Sequence, residues 1–399
     1  MKGPAVGPLA SDPCKVVHLI TALDVGGAEL ALARLLPGLR DRGIHNTVVS
    51  LTAPGRVALR IREAGVAVRS LGLRRGSVAP GAVFRLRRLL QAERPDILQT
   101  WMYHADLLGA VASWRRVRPA LLWNVRASDV EMTRYGWLSA ATRRTCAWLS
   151  RRPLAVVANS QAGIEFHQRL GYRPARWVMI PNGVDSREFR PDPVARASFR
   201  AELGIPGDAK LVGLVGRRDP MKGHDVFLEA ARALMDRWPS LHVLLAGPGV
   251  EADVEPFASW SRALEPTVRQ RVHLLGPRDD MPRLYAALDV ACSASLFGEG
   301  FPNVIAEAMA TGVPVVATAV GDAPHLVGDT GFIVPPGDAA SLADRCGMLV
   351  GDDGRRRAMG EAARRRIVSL FGMDRVADAY ARLYTELALA HAVPAGVRG

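Results

Sequence analysis

Short, continuously apolar runs alternate along this chain with stretches in which hydrophobic residues recur every three or four positions. In the first half the runs fall at residues 15–21 (KVVHLIT), 46–51, 66–71, 96–100, 120–124, 154–158 and 177–180. A second series follows Pro191, at 211–215 (LVGLV), 242–246, 272–275, 289–292 and 314–317. A run that is apolar throughout, rather than at alternate residues, predicts a strand buried on both faces, and the helical periods between runs predict helices covering a parallel sheet. The whole reads as α/β, with two doubly wound, Rossmann-like domains. The segment 180–193 (IPNGVDSREFRPDP), dense in Pro, Gly, Asn and Asp, predicts the crossing between them. The domains expected are 15–183 and 184–372, followed by a carboxy-terminal helix and tail over 373–399; residues 1–14 read as a loose tail.

Length and composition agree. At 399 residues the chain exceeds one ordinary core, and 49% hydrophobic content excludes disorder. No run reaches the roughly 20 apolar residues of a membrane helix. The opening MKGPAVGPLASDPC lacks the apolar centre of a secretory signal, so a cytoplasmic protein is expected. Cys14, Cys146, Cys292 and Cys346 are widely spaced, without CxxC or a histidine cluster to complete a zinc site, and read as reduced thiols.

Charge changes the picture more. Residues 1–183 carry 27 Lys plus Arg against 11 Asp plus Glu, a net +16; residues 184–399 carry 25 against 28, a net −3. The first half therefore suits an anionic partner: a phosphorylated acceptor, an anionic lipid surface or nucleic acid. The chain has no aromatic strand motif, zinc spacing or recognition-helix signal, so no nucleic acid is expected. Within 137–152 (WLSAATRRTCAWLSRR), Trp137, Leu138, Ala141, Trp148 and Leu149 share one helical face with arginines beside it. That face suits peripheral contact with anionic membrane, at the inner side of the plasma membrane, and equally suits packing on the first sheet.

Ligands of open α/β sheets bind beyond the carboxyl ends of the strands, which directs attention to the loops there. After the first run comes LDVGGAEL, where Gly26 and Gly27 precede a helix. Glycines there let backbone approach a ligand, or simply make a tight turn. After 211–215 comes GRRDPMKGHD, in which Arg217 and Lys222 are spaced to clamp a diphosphate or are an exposed pair of charges. After 289–292 comes FGEGFPNVIAEAMATG. Pro302 suits a helix start, so the N–H groups of Asn303, Val304 and Ile305 would face the cleft with a dipole that favours phosphate. Glu299 precedes that helix and Glu307 lies inside it, two carboxylates placed to accept hydrogen bonds from hydroxyl-rich groups.

Together GGAE at 26–29, IPNGVD at 180–185, VGRRDPMKG at 215–223, HLLG at 273–276, EGFPNVIAE at 299–307 and VPPGD at 334–338 resemble the retaining glycosyltransferases of family 4, of two-domain GT-B architecture. The resemblance spans nearly the whole chain. It implies that Arg217 and Lys222 hold the donor diphosphate, that Glu299 contacts the transferred sugar and Glu307 the ribose, and that backbone at His273, Leu274 and Leu275 contacts the base. Gly300, Phe301, Pro302, Asn303 and Val304 would line the donor site, with Gly26 and Gly27 opposite. His104, in TWMYHADLLG, matches the family's cleft histidine, and Arg126, in NVRASD, an acceptor contact. The family's commonest donors are UDP-sugars. Acceptors implied are glycan, anionic or lipid-linked molecules of polysaccharide or glycolipid synthesis. No cofactor is implied, and with no Asp-x-Asp at a strand end the cationic clamp replaces a metal. Arg218 and Asp219 depart from the commoner residues between the clamp cations, with the spacing kept. A GT-B epimerase acting on the donor alone is the alternative.

Overall fold

The computed structural model describes residues 13–24, 26–74, 80–114, 119–126 and 137–392. Most of the two expected tails, 1–12 and 393–399, lies outside the described residues. The first sheet is formed by β1 (Lys15–Ile20), β2 (His45–Thr52), β3 (Ala67–Leu73), β4 (Ile97–Trp101), β5 (Ala120–Val125), β6 (Ala155–Ala158) and β7 (Trp177–Met179). They lie in the order β3-β2-β1-β4-β5-β6-β7, all parallel. The second sheet holds β8 (Leu211–Val215), β9 (His242–Ala246), β10 (Val272–Leu274), β11 (Val290–Ser293), β12 (Val315–Thr318) and β13 (Phe332–Val334), ordered β10-β9-β8-β11-β12-β13 and again parallel. Every apolar run predicted from sequence holds a strand. β13, the run FIV closed off by Gly331 and Pro335, was not among the predicted strands; its pairing with Val316–Thr318 of β12 makes it one.

In both sheets the order reverses once, between β1 and β4 and between β8 and β11. Loops on either side of such a switch point diverge and open a crevice. The segments that follow these four strands carry Gly26 and Gly27, His104 at a helix start, Arg217 with Lys222, and Glu299 respectively. Topology thus places these residues at two facing crevices.

One face of the first sheet packs Val16, Ile20, Ile97 and Leu122 against helices Gly27–Arg40 and Met373–Ala392. The latter helix follows the second domain in sequence but contributes Tyr380, Tyr384 and Leu387 to the core of the first. The two chain crossings meet where Val184 N–H donates to the Phe371 carbonyl at 2.9 Å and Met373 N–H to the Val184 carbonyl at 3.0 Å. Gly183 fits there because a Cβ would stand 2.8 Å from Met373 Sδ.

The opposite face packs Leu86, Ala110, Cys146 and Leu149 from helices Pro80–Glu93, Tyr103–Ala112 and Trp137–Leu149. This corrects the amphipathic face expected over 137–152. Leu149 and also Arg143 are buried, because the turn of the helix that carries Cys146 faces the sheet. Ala141, Arg144, Thr145 and Trp148 face outward, Trp148 being 74% exposed. The side chains of Trp137 and Leu138 lie outside the described residues.

Candidate donor and acceptor cleft

The loop after β8 is shaped by its own residues. Asp219 caps the 3-10 turn Pro220–Lys222, its Oδ1 accepting from Met221 N–H at 3.1 Å. Its Oδ2 accepts from Arg217 at 3.0 Å. The departure from the commoner residue at 219 therefore has a structural use: it holds the Arg217 guanidinium beside the turn that carries Lys222. Gly223 ends the turn at φ 60°, where a Cβ would lie 2.0 Å from the Ala294 carbonyl oxygen, so no larger residue fits. Arg217 remains 59% exposed despite its ion pair with Asp219.

Lys222 reaches the second loop. Its Nζ lies 2.5 Å from Glu299 Oε1, which also accepts from Ser295 Oγ at 2.7 Å. Both side chains are largely buried. Such a pair sets an acceptor and a donor side by side, the arrangement that suits a ligand with adjoining hydroxyl and phosphate groups. Gly321, at φ 57°, lets the Glu299 loop pass close: a Cβ there would sit 2.1 Å from the Glu299 carbonyl oxygen.

The helix Asn303–Ala310 follows directly, with Pro302 preceding its first residue. Ile305 N–H turns back to the Pro302 carbonyl at 3.1 Å, so the anion-facing donors are those of Asn303 and Val304 rather than all three expected from sequence. Gly300 accepts from Asp322 N–H at 3.0 Å, and Phe301 is buried against Phe371. These contacts anchor the loop to the second domain. Glu307 points back at the first domain, where Arg34 NH1 donates to its Oε1 at 3.0 Å. Burial pushes the Glu307 carboxyl above the usual range, and Arg34 opposes that rise.

Among the described residues, β10 is an edge strand paired with β9. Leu275 N–H donates to Leu245 and Gly276 N–H to Val250, at 2.9 and 3.2 Å. Alternation along a parallel strand then turns the N–H and C=O of Leu274 outward, available to a planar ring. His273 is oriented by stacking on His242, their ring nitrogens 3.0 Å apart. Burial, with His242 adding to it, lowers the His273 imidazole to about 4, so it is neutral.

Across the cleft, a Cβ on Gly27 would meet nothing within 4 Å, so no neighbour in the fold demands glycine there. Open space in front of that backbone is what an approaching ligand needs. At Gly26 a Cβ would strike Glu29 Oε2 at 2.3 Å, because Glu29 folds back over the turn. His104 lies exposed in the first turn of helix Tyr103–Ala112, and partial desolvation lowers its imidazole below the ordinary value. Met102, just before that helix, has φ 71°, unusual for a side chain of its size, and its N–H bonds the Asn124 carbonyl at 3.0 Å. Arg126 lies over the Trp101 ring, 5.2 Å from its centroid, and donates to Asn124 and Asn182; burial pulls its guanidinium below the ordinary value.

The structure thus joins Lys222 to Glu299, and Asn303 to Arg126 through Asn182. His104 and the β10 edge stand apart as separate walls. Sequence reasoning did not single out Arg34, Asn124, Asn182 or Asp322. Asn182 sits in the quoted IPNGVD motif, which was the available signal; Asp322 accepts from the N–H groups of Gln161 and Ala162 at 2.9 and 3.0 Å, capping a helix of the opposite domain. Among the described residues, no group of His, Cys, Asp and Glu could hold a metal ion, and no helix is long and apolar enough to cross a membrane.

Two Rossmann-like domains, each a parallel sheet with one switch point and with charged and glycine-bearing loops beyond it, define the GT-B class. The sequence matches the Glycosyltransferase Family 4 domain over residues 25–188 and the Glycosyl transferases group 1 domain over 209–352. It is 30% identical over 306 residues to the lipopolysaccharide core biosynthesis mannosyltransferase LpsB of Rhizobium meliloti, covering 69% of this chain and 82% of that one. The chain belongs to the family 4 glycosyltransferases. It is also 36% identical over 231 residues to the D-inositol 3-phosphate glycosyltransferase of Corynebacterium aurimucosum, over 55% of this chain; it spans about half of that relative, 54% of its length. Among solved structures, HepE of Anabaena in complex with UDP superposes with a TM-score of 0.78 and 26% identity, over 93% of this chain and all of that one. The same protein has been solved with UDP-glucose, at a TM-score of 0.76.

Proposed function

We propose that this protein transfers a hexosyl group, with retention of anomeric configuration, from a UDP-sugar to an anionic or lipid-linked acceptor in cell-surface polysaccharide or glycolipid synthesis. The observation that carries the reading is the Lys222–Glu299 pair at 2.5 Å, set beside the start of helix Asn303–Ala310. Arg217, Lys222 and the Asn303 and Val304 N–H groups take the diphosphate; Glu299 takes sugar hydroxyls; Glu307 takes the ribose, exchanging Arg34 for it; the Leu274 edge takes the base. The UDP and UDP-glucose complexes of HepE support the choice of base.

Transfer breaks the bond between the anomeric carbon and the β-phosphate oxygen and forms one from that carbon to the acceptor oxygen on the same face. The acceptor proton passes to the departing phosphate. Lys222 and Arg217 stabilise the charge that develops on the diphosphate, a role that needs no metal. Closure of the domains keeps water from the donor. On the acceptor side, Arg126 and the +16 first domain suit a phosphorylated group, and the inositol phosphate acceptor in the name of the corynebacterial relative supports that choice. His104 contacts the transferred sugar. Outward-facing Trp148 and Arg144 give peripheral contact with anionic membrane at its cytoplasmic face.

Thermal shift against UDP, GDP and ADP tests the donor: UDP should raise Tm the most, by mass action, and a larger rise with GDP or ADP would reject the base. UDP-glucose incubated with the protein alone should yield UDP by slow hydrolysis, unaffected by EDTA. A new sugar isomer with no UDP released would instead mark an epimerase.

A further inference from the structure

A row of buried and half-buried amide, guanidinium and phenol side chains runs from the returning carboxy-terminal helix to the start of helix Asn303–Ala310. Tyr380, 1% exposed, accepts from Asn124 Nδ2 at 2.7 Å and also interacts directly with the Arg126 guanidinium. Asn124 Oδ1 accepts from Arg126 NH1 at 3.4 Å. The other terminal nitrogen of Arg126 donates to Asn182 Oδ1, which also accepts from Asn159 Nδ2 at 3.2 Å. Asn182 Nδ2 then donates to Asn303 Oδ1 at 2.7 Å, crossing from one domain to the other.

The direction of this chain is fixed. Arginine has donors only, so both amides that face it must present oxygen and pass their NH2 groups outward, Asn124 to Tyr380 and Asn182 to Asn303. Asn124, Asn159 and Asn182 are all buried, where an amide turned the wrong way would leave polar groups unpaired. The row therefore has one consistent orientation of its amides, and its last link, Asn182 to Asn303, joins the first domain to the second. Partly satisfied buried networks are unfavourable, so loss of one link is felt at the others.

We propose that Tyr380 is a positioning residue for transfer: through Asn124, Arg126 and Asn182 it ties the first turn of the donor helix at Asn303 to the acceptor side of the cleft. Tyr380 touches no substrate group. Its phenol stays neutral, burial raising it above its ordinary value. By fixing Arg126 against Trp101, it makes the acceptor-side cation and the donor-side helix parts of one unit that assembles on closure. The inference rests on the transfer reading for its meaning in catalysis, but the physical coupling stands or falls by itself.

Tyr380→Phe removes the hydroxyl and keeps the ring in the core. Amide exchange followed by mass spectrometry should show at least threefold faster exchange in the peptide covering 303–306, although Tyr380 lies in a different domain core, and Asn124→Ala should reproduce it one link on. Basal hydrolysis of UDP-glucose should fall about tenfold in Tyr380→Phe with the Kd for UDP changed less than twofold. Combined with Asn303→Ala, the loss should be at least threefold smaller than the product of the two single losses, because both break one chain. Faster exchange confined to the helix Met373–Ala392, or losses that multiply, would overturn the proposal. A wild-type protein that bound no UDP would reject the transfer reading and leave the exchange result to decide the coupling.

Discussion

The two walls of the cleft are built in opposite ways. In the second domain Arg217, Lys222, Glu299, Asn303 and Glu307 come from two short stretches, and local devices hold them: the Asp219 cap, Gly223 at φ 60° and Gly321 packed on the Glu299 carbonyl. In the first domain the corresponding residues come from Gly26 and Gly27, Arg34, Asn124, Arg126, Asn182 and Tyr380, and a buried network assembles them. The second half of the chain is nearly neutral and the first is strongly basic, +16 against −3. A nucleotide diphosphate is the same group for every enzyme that uses it, and a short loop with two cations and a helix start is enough to hold it. The first-domain wall instead draws on side chains brought together from distant parts of the chain, and its shape depends on the whole packing.

Removing charge from each wall should separate the two most widely. Lys222→Ala or Glu299→Ala should lower the turnover of UDP-sugar by about 100-fold or more, the scale of losing one group that stabilises developing charge. Arg126→Ala should leave the Kd for UDP within about twofold and cost roughly tenfold in turnover, since its guanidinium acts on the acceptor side. Steady-state kinetics with calorimetric UDP binding distinguishes them, and equal loss of UDP affinity in all three variants would erase the distinction between walls.

The Arg34–Glu307 pair joins the walls and should give the next largest effect. Arg34→Ala leaves a mostly buried carboxylate without its cation, at a cost to stability of roughly 2–3 kcal/mol in denaturant unfolding. Adding Glu307→Gln should recover most of that stability without recovering UDP affinity. If the double variant were no more stable than Arg34→Ala, the pair would not be what holds this contact.

Acid should act on the first wall before the second. Burial lowers His18 and His167 of the first domain from 6.5 to about 4. A lowered imidazole means that the folded state binds fewer protons than the unfolded chain between those values, so stability is fully present above about pH 6.5 and is lost as pH falls towards 4. Each completed fall is worth on the order of 3 kcal/mol. His273 of the second domain shows a similar lowering but is less deeply enclosed, and solvent screens it more. Amide exchange at pH 5 should therefore show first-domain peptides losing protection first, and His18→Gln should lessen that loss; simultaneous loss in both domains would remove the contrast.

Much of this architecture can be read without coordinates. Fully apolar runs such as LVGLV and HVLLA announce buried parallel strands because both faces of such a strand meet helices. The donor loops are legible because glycine, proline and capping residues act within a few positions of one another. β13 was missed because FIV is closed off at once by Gly331 and Pro335, and only its pairing with β12 makes it a strand. The apolar face over 137–152 was misplaced because both outward Trp148 and inward Leu149 are hydrophobic, and only the helix's contact with the sheet tells which is covered.

Sequence by itself therefore determined the two series of α/β elements, the Pro- and Gly-rich stretch between them, which cations and carboxylates stand in the loops after β8 and β11, and the uneven charge. Tertiary structure alone decided which first-domain residues meet them. Arg34 and Glu307 are 273 positions apart and Asn124 and Tyr380 are 256 apart, with no local pattern to pair them. The last helix could have covered either domain by its amphipathic pattern; the meeting of Val184 with Phe371 and Met373 sends it back to the first. Local rules act over one turn or one strand, whereas the joining of two domains depends on where the chain returns in space.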